Sequence, residues 1–292
     1  MVGSRSRPAS VVSVRATASG PDPRHSGAAA VDPTEAATQS PEAQRPQTQS
    51  TKAQDVAIRA RGLSRRFGSH LALDGLDLDI PARATFGLLG ANGAGKTTFI
   101  RLCTGFLLPS AGSVEVQGVS PCVDPAAVQR KLGFVMETSR LYPELKVEGF
   151  LRFCGGARDL AGAELRSAVQ GVIERFHLEP VARRLIGNLS KGYQQRVSLA
   201  QAFIHDPPLV IVDEPTGGLD PVQKHEVQQL LRSLQGERTV LLCTHDLHEA
   251  ETLTSRVAIL NAGRLVAEGK TSEVLGRGDA LSLFESNRRN PS

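Results

Sequence analysis

The chain has 292 residues, 34 Lys+Arg against 30 Asp+Glu, a formal net charge of +4 and 40% hydrophobic residues. That apolar content excludes a wholly disordered chain, and no apolar run approaches the ~20 residues that a bilayer-spanning helix needs. A sequence pI near 9.0 raises nucleic acid as a partner, while four cysteines (Cys103, Cys122, Cys154, Cys243) without a C-x-x-C pair argue against a disulfide framework or zinc module and fit a reducing compartment.

Residues 1–54 hold six basic and four acidic side chains, and no Leu, Ile, Phe, Tyr or Trp. Such a stretch cannot bury enough apolar surface to offset chain ordering, so a disordered N-terminal extension is expected. Its first 20 residues contain three Arg, five Ser and no acid. An organellar transit peptide and a plain unstructured extension both fit that composition, whereas a secretory signal would need an apolar h-region. This extension carries half of the net charge. The remainder therefore lacks a basic footprint for nucleic acid.

From Asp55 onward short apolar runs alternate with segments of helical period. Val56–Arg61, Leu73–Ile80 and Thr85–Leu89 read as strands, the second alternating Leu76, Leu78 and Ile80 with Asp77 and Asp79. A helix is expected over Lys96–Gly105, then strands over Val114–Val116 and Leu132–Val135. Val147–Phe153, Glu164–Phe176 and Lys191–Ile204 read as helices. Strand Leu209–Val212, helix Pro221–Leu234, strand Thr239–Cys243, helix Leu247–Leu253 and strand Val257–Leu260 complete the series, and Ala280–Phe284 reads as a final short helix. Asp220 before Pro221 has the form of an N-cap with proline at the first helical position. Alternating strands and helices imply an α/β fold with a mainly parallel sheet covered on both faces.

Gly90-Ala91-Asn92-Gly93-Ala94-Gly95-Lys96-Thr97, followed by Thr98, matches G-x-x-x-x-G-K-[ST] between an expected strand and helix. Glycines let the backbone curl so that N–H groups face phosphate oxygens, and the helix dipole adds its positive end. Lys96 is suited to the β- and γ-phosphates and the Thr97 hydroxyl to Mg²⁺. The pattern therefore points to a nucleoside triphosphate site, with a bare glycine turn as the bland alternative. Leu209-Val-Ile-Val-Asp213-Glu214 is a buried-type strand ending in two acids. Ligands of doubly wound sheets collect beyond strand carboxyl ends. Asp213 is suited to holding Mg²⁺, and Glu214 to polarising an attacking water.

Two further segments carry a family resemblance. Leu189-Ser190-Lys191-Gly192-Tyr193-Gln194-Gln195-Arg196 resembles the signature of ATP-binding-cassette (ABC) ATPases, with Lys-Gly-Tyr where Gly-Gly-Gln is usual. Pro215-Thr216-Gly217-Gly218-Leu219-Asp220 resembles the family's D-loop, and Thr244-His245 its switch histidine. The resemblance covers about residues 55–270. It implies a P-loop NTPase core with a parallel sheet, an antiparallel N-terminal β subdomain and an inserted helical subdomain at about 137–205. The implied ATPase domain spans 55–275, with a short tail over 276–292.

The resemblance also implies a head-to-tail dimer in which Ser190 and Gly192, with Asp220 of the D-loop, meet nucleotide bound by the opposite subunit. His245 would reach the γ-phosphate and water, and Phe67 would stack on adenine, a buried core Phe being the competing reading. Glu137 stands where the family has its Q-loop glutamine, among the metal-side residues with Thr97 and Asp213. A carboxylate there needs neutralising by Mg²⁺ or by Arg140. Glu137 and the Lys-Gly-Tyr signature resemble the ABC-2-type exporter branch.

The expected function is thus an ATP-hydrolysing subunit with ATP and Mg²⁺ as cofactors, peripheral on the cytoplasmic face of the inner membrane. Its expected partners are transmembrane permease subunits and a second nucleotide-binding subunit, with no nucleic acid. The rival is a soluble ABC ATPase acting on ribosomes or DNA. Translation-type members carry two cassettes, and chromosome-type members insert long coiled coils, yet only 92 residues separate Thr97 from Ser190 without sustained heptads. A kinase or GTPase would need no signature. His245, His248, Glu249 and Glu251 lack the H-E-x-x-H spacing of a zinc site.

Overall fold

The computed structural model describes residues 56–138 and 140–276. The expected disordered extension over 1–54, the tail beyond 276 and the helix expected at Ala280–Phe284 lie outside the described residues.

The first layer is antiparallel. Strands β1 (Val56–Phe67), β2 (His70–Pro81) and β4 (Ala111–Val116) form a three-stranded sheet in the order β2-β1-β4. β1 runs six residues beyond the expected Arg61, because register shifts at Ala60/Leu63 and Leu63/Arg65 let pairing continue past Gly62. This shift carries Phe67 to the end of the strand, opposite His70.

The second layer is a six-stranded sheet in the order β5-β6-β7-β3-β8-β9, with β5 (Leu132–Val135), β6 (Leu209–Asp213), β7 (Thr239–Thr244), β3 (Thr85–Leu89), β8 (Arg256–Asn261) and β9 (Arg264–Lys270). Every pair is parallel except β8 with β9. β3, β6 and β7 are buried at every position, the expected signature of strands covered on both faces. Strand alternation sorts their side chains into two cores. Leu209 and Ile211 pack with Phe86, Leu88, Phe99 and the antiparallel sheet. Val210 and Val212 pack with Phe150, Phe176, Leu199 and Phe203 on the helical side.

The helices are α1 (Lys96–Cys103), α2 (Pro125–Arg130), α3 (Val147–Gly156), α4 (Gly162–Arg175), α5 (Lys191–Phe203), α6 (Pro221–Ser233), α7 (Leu247–Leu253) and α8 (Thr271–Leu275). α2, β9 and α8 were not among the expected elements. α2 carried the same signal that announced α6: Asp124 before Pro125 caps the helix by accepting from Ala127 N at 2.8 Å. β9 pairs back on β8 through a two-residue turn at Ala262 (φ 46°) and Gly263 (φ 79°), the left-handed pair that matches strand twist.

The parallel register decides where chemistry gathers. Leu89 of β3 lies opposite Thr244 of β7, Asp213 of β6 opposite Cys243, and Val135 of β5 opposite Val212. Four chain segments therefore leave the sheet side by side at its carboxyl edge. On the helical side, Gly133 of β5 meets the backbone of α5 so closely that any Cβ would overlap the Ala202 carbonyl. Gly133→Ala should lower unfolding free energy by about 1–3 kcal/mol in urea titrations, the usual range for an overpacked core.

Candidate functional site

The Gly90–Thr97 loop runs from the end of β3 into α1, as the sequence predicts. Gly93 (φ 82°) and Gly95 (φ 107°) take left-handed conformations that other residues adopt only with strain. Gly95 has a second constraint, since a Cβ there would lie 2.7 Å from the Ala72 carbonyl oxygen of β2. The loop is also pinned through the β8–β9 turn: Gly263 N donates to Ala94 O at 3.0 Å, and Asp74 N donates to Gly263 O at 2.9 Å. Arg264 reinforces this clamp through its Nε, 2.8 Å from Asp74 Oδ2.

Lys96 is only 6% exposed. Its ammonium donates to Gly90 O at 2.6 Å and lies 3.6 Å from Glu214 Oε1. Glu214 sits just past β6 in a left-handed conformation (φ 48°), with its N–H bonded to Cys243 O at 2.8 Å. Its Oε2 lies 2.9 Å from His245 Nδ1, so Nδ1–H donates to the carboxylate. Glu214 thus links the phosphate loop to the loop after β7.

A cavity of about 400 Å³ is lined by Phe67, Asn92, Gly93, Ala94, Gly95, Lys96, Thr97, Thr98, Glu137, Asp213 and Glu214, together with Ala91, His70 and Ala72. The sequence reading had singled out neither His70 nor Ala72; only the β1–β2 register brings them there. Gly90 takes part through its carbonyl on Lys96. Phe67 is 41% exposed, which rules out the core reading, and the Arg65 guanidinium stacks 4.7 Å from its ring centroid.

Burial pushes the Asp213 carboxyl up to about 6, neighbouring Glu214 and Glu137 add to the rise, and Lys96 opposes it. Three carboxylates therefore face one ammonium, an arrangement that favours a cation in the cavity. With the Thr97 hydroxyl on the same wall, the donor set fits Mg²⁺, a hard cation that takes oxygen ligands. Arg140, which the sequence offered as the neutraliser of Glu137, instead lines a different cavity of about 350 Å³ with Phe134, Tyr142, Phe150 and Phe153.

Ser190, Gly192 and Asp220 are not brought to the phosphate loop. They line a third cavity of about 440 Å³ with Tyr193, Gln223 and Glu226. Ser190 caps α5 by accepting from Tyr193 N at 3.4 Å, and Asp220 caps α6 by accepting from Val222 N and Gln223 N at 3.0 and 2.9 Å. Gly192 lies against Gln223, whose Cγ a Cβ would approach to 2.9 Å.

Comparisons with known proteins place the chain in a family. A family model described as ABC transporter matches residues 73–217, spanning the phosphate loop, Ser190–Arg196 and the Asp213–Glu214 pair. Daunorubicin resistance ATP-binding protein DrrA3 of Streptomyces coeruleorubidus is 38% identical over 232 residues, covering 78% of this chain and 73% of that protein. The chain belongs to the ABC transporter ATP-binding proteins. Nod factor export ATP-binding protein I of Cupriavidus metallidurans is 36% identical over 219 residues, 75% of this chain and 72% of that protein. Among solved structures, cbiO1 of Clostridium perfringens, part of the ABC transporter complex cbiONQ, superposes with a TM-score of 0.71 at 26% identity, covering 81% of this chain and 96% of its own. An ATP-binding subunit of an ABC transporter superposes at 0.70 with 28% identity, over 80% of this chain and all of that one. Family membership makes this chain an ATPase.

Gly95→Ala should leave circular dichroism unchanged, because the strain is confined to the loop. Calorimetric titration should show ATP affinity falling at least tenfold, about 1.4 kcal/mol, as the displaced loop no longer fits the phosphates.

Proposed function

We propose that this chain is the ATP-hydrolysing subunit of an exporter, driving a separate membrane-spanning permease. The observation that carries the reading is the Lys96–Glu214–His245 chain, in which buried Lys96 and Glu214 line the 400 Å³ cavity and Glu214 joins them to the exposed His245. Mg²⁺ bound with ATP would neutralise phosphate charge, held by Thr97 and Asp213, with Glu137 alongside. Lys96 exchanges its Gly90 carbonyl contact for the β- and γ-phosphates. Glu214, oriented by His245, polarises the attacking water, and His245 would reach the γ-phosphate from the loop after β7. Catalysis of this kind is positioning plus electrostatics. Phe67, exposed and backed by Arg65, offers its free face to adenine.

The separate cavity at Ser190, Gly192 and Asp220 supports a composite site. Ser190 and the backbone at Gly192, opening α5, meet the γ-phosphate held by the loop of a second copy, head to tail. The permease would sit on the aromatic groove of Phe134, Tyr142, Phe150 and Phe153. Tyr142 packs 6.0 Å from Phe150 and 5.8 Å from Phe153, leaving Tyr142 and Phe153 largely exposed. No helix among the described residues is long and apolar enough to cross a membrane. The chain would therefore attach peripherally, at the cytoplasmic face of the inner membrane. Export as the direction rests on the relatives named for Nod factor export and daunorubicin resistance.

Glu214→Gln should bind ATP normally yet lose turnover by about 100-fold or more, and should retain a multi-span protein on purification from detergent-solubilised membranes. Wild-type hydrolysis by this variant would remove Glu214 from its role. The composite site has its own check. Lys96→Ala and Ser190→Arg chains should each be inactive alone, but mixing them should restore turnover, since one intact loop can then face one intact signature. If mixing restores nothing, the two halves act within one chain.

A further inference from the structure

Glu249 is the least expected carboxylate in the molecule. It lies in the first turn of α7 and is 1% exposed, more buried than Asp213 or Glu214. Burying a carboxylate is costly unless its oxygens find donors, and both do. Oε1 accepts the Thr216 hydroxyl at 2.8 Å and Oε2 accepts the Thr244 hydroxyl at 2.7 Å. These threonines belong to different segments. Thr216 lies two residues after Glu214, in a turn closed by Gly217 N on Glu214 O at 3.2 Å. Thr244 ends β7 immediately before His245.

We propose that Glu249 is a positioning residue for hydrolysis, joining the segment that carries Glu214 to the segment that carries His245. The inference rests on the assignment of those two residues given above. Its two oxygens span the gap between segments, so a shift of either loop must break a buried hydrogen bond. Glu249 also sets the direction of the Thr244 hydroxyl. Thr244 Oγ1 accepts from Asp246 N at 3.0 Å and has a single proton, which goes to Glu249 at 2.7 Å. Glu214 Oε2, 3.5 Å from the same oxygen, is thereby left for His245 Nδ1 at 2.9 Å. An amide at position 249 would present N–H to one of the threonines and force that hydroxyl to turn away. Turned from Glu249, the Thr244 proton would point at Glu214 and compete with His245.

The support extends beyond the three residues. Asp246 caps α7 by accepting from His248 N and Glu249 N at 2.9 and 3.2 Å. Its second oxygen pairs with Lys224 of α6, the helix that follows the Thr216 turn. Two buried or half-buried contacts, Glu249–Thr216 and Asp246–Lys224, thus tie the same pair of segments.

Steady-state ATP turnover and nucleotide binding by the full chain test the proposal. Glu249→Gln and Thr244→Val should each lower kcat about 10- to 100-fold, the effect of small misplacements at a reacting centre. KM for ATP and nucleotide affinity of the folded variants should stay close to wild type while melting temperature falls only modestly, a split that a merely structural loss would not produce. Thr216→Val should share the loss and Thr216→Ser recover it. In the double variant Glu249→Gln/Thr244→Val the losses should fail to add, because both act through one hydrogen bond. Wild-type kcat in Glu249→Gln, a loss confined to KM or stability, or additive losses would overturn the proposal. Should Glu249→Gln not fold, the Thr216 and Thr244 variants decide it by the same criteria. Glu214→Gln run alongside separates the two readings: if it is inactive while Glu249→Gln is not, only the positioning role fails. If both turn over normally, the assignment of Glu214 fails first.

Discussion

The parallel register of β3, β6 and β7 is the constraint on which the site depends. These neighbouring strands end together, so the loop after Leu89, the acidic pair at Asp213–Glu214 and the Thr244–His245 corner leave the sheet within reach of one another. No local preference of any one segment could arrange this. Burial on both faces holds the register, since a one-residue slip would exchange the Leu209/Ile211 and Val210/Val212 sets between two differently shaped cores. Stability of the sheet and geometry of the chemistry are therefore the same property.

Onto that frame the molecule places charges that are poorly matched by themselves. Lys96 lies among Asp213, Glu214 and Glu137, and burial drives Asp213 toward its neutral form. Such a surplus of carboxylate favours a divalent cation in the cavity. The carbonyl contact of Lys96 with Gly90 satisfies the ammonium meanwhile. Around it, the close approach of Ala72 and the Gly263 turn to Gly95 and Ala94 fixes the loop chiefly through backbone contacts. That is why two of its neighbours are small residues with no chemistry of their own.

The three cavities have different characters, and each follows from the layer that builds it. The loop cavity lies at the strand ends where the antiparallel sheet meets the parallel one, and is mixed acid and base. The aromatic groove opens between the segment after β5 and α3. The signature cavity lies between the openings of α5 and α6, whose capping side chains Ser190 and Asp220 already satisfy helix N–H groups. The phosphate loop and Ser190, Gly192 and Asp220 thus lie at separate places on one chain.

Sequence alone determined the elements that local physics dictates. The glycine loop, the acid-terminated strand, the Asp220–Pro221 cap and most helices were legible because spacing, caps and periodicity are properties of neighbours in the chain. It also identified Lys96, Asp213 and Glu214 as candidates, since their residue types at those spacings suit phosphate chemistry, while His245 came from the family resemblance. α2 is unexpected despite its Asp124–Pro125 cap, being only six residues long, and β9 is hidden because its apolar positions are at most half-buried against a single neighbour. Tertiary structure alone decided the rest. Phe67 proved exposed because β1 continues beyond Gly62, Arg140 proved to face another cavity than Glu137, and His70, Ala72 and Gly263 joined the loop across long stretches of chain. Glu249 came to hold Thr216 and Thr244 for the same reason. Strand register and the burial of one carboxylate are set by the whole core, and no window of the sequence contains them.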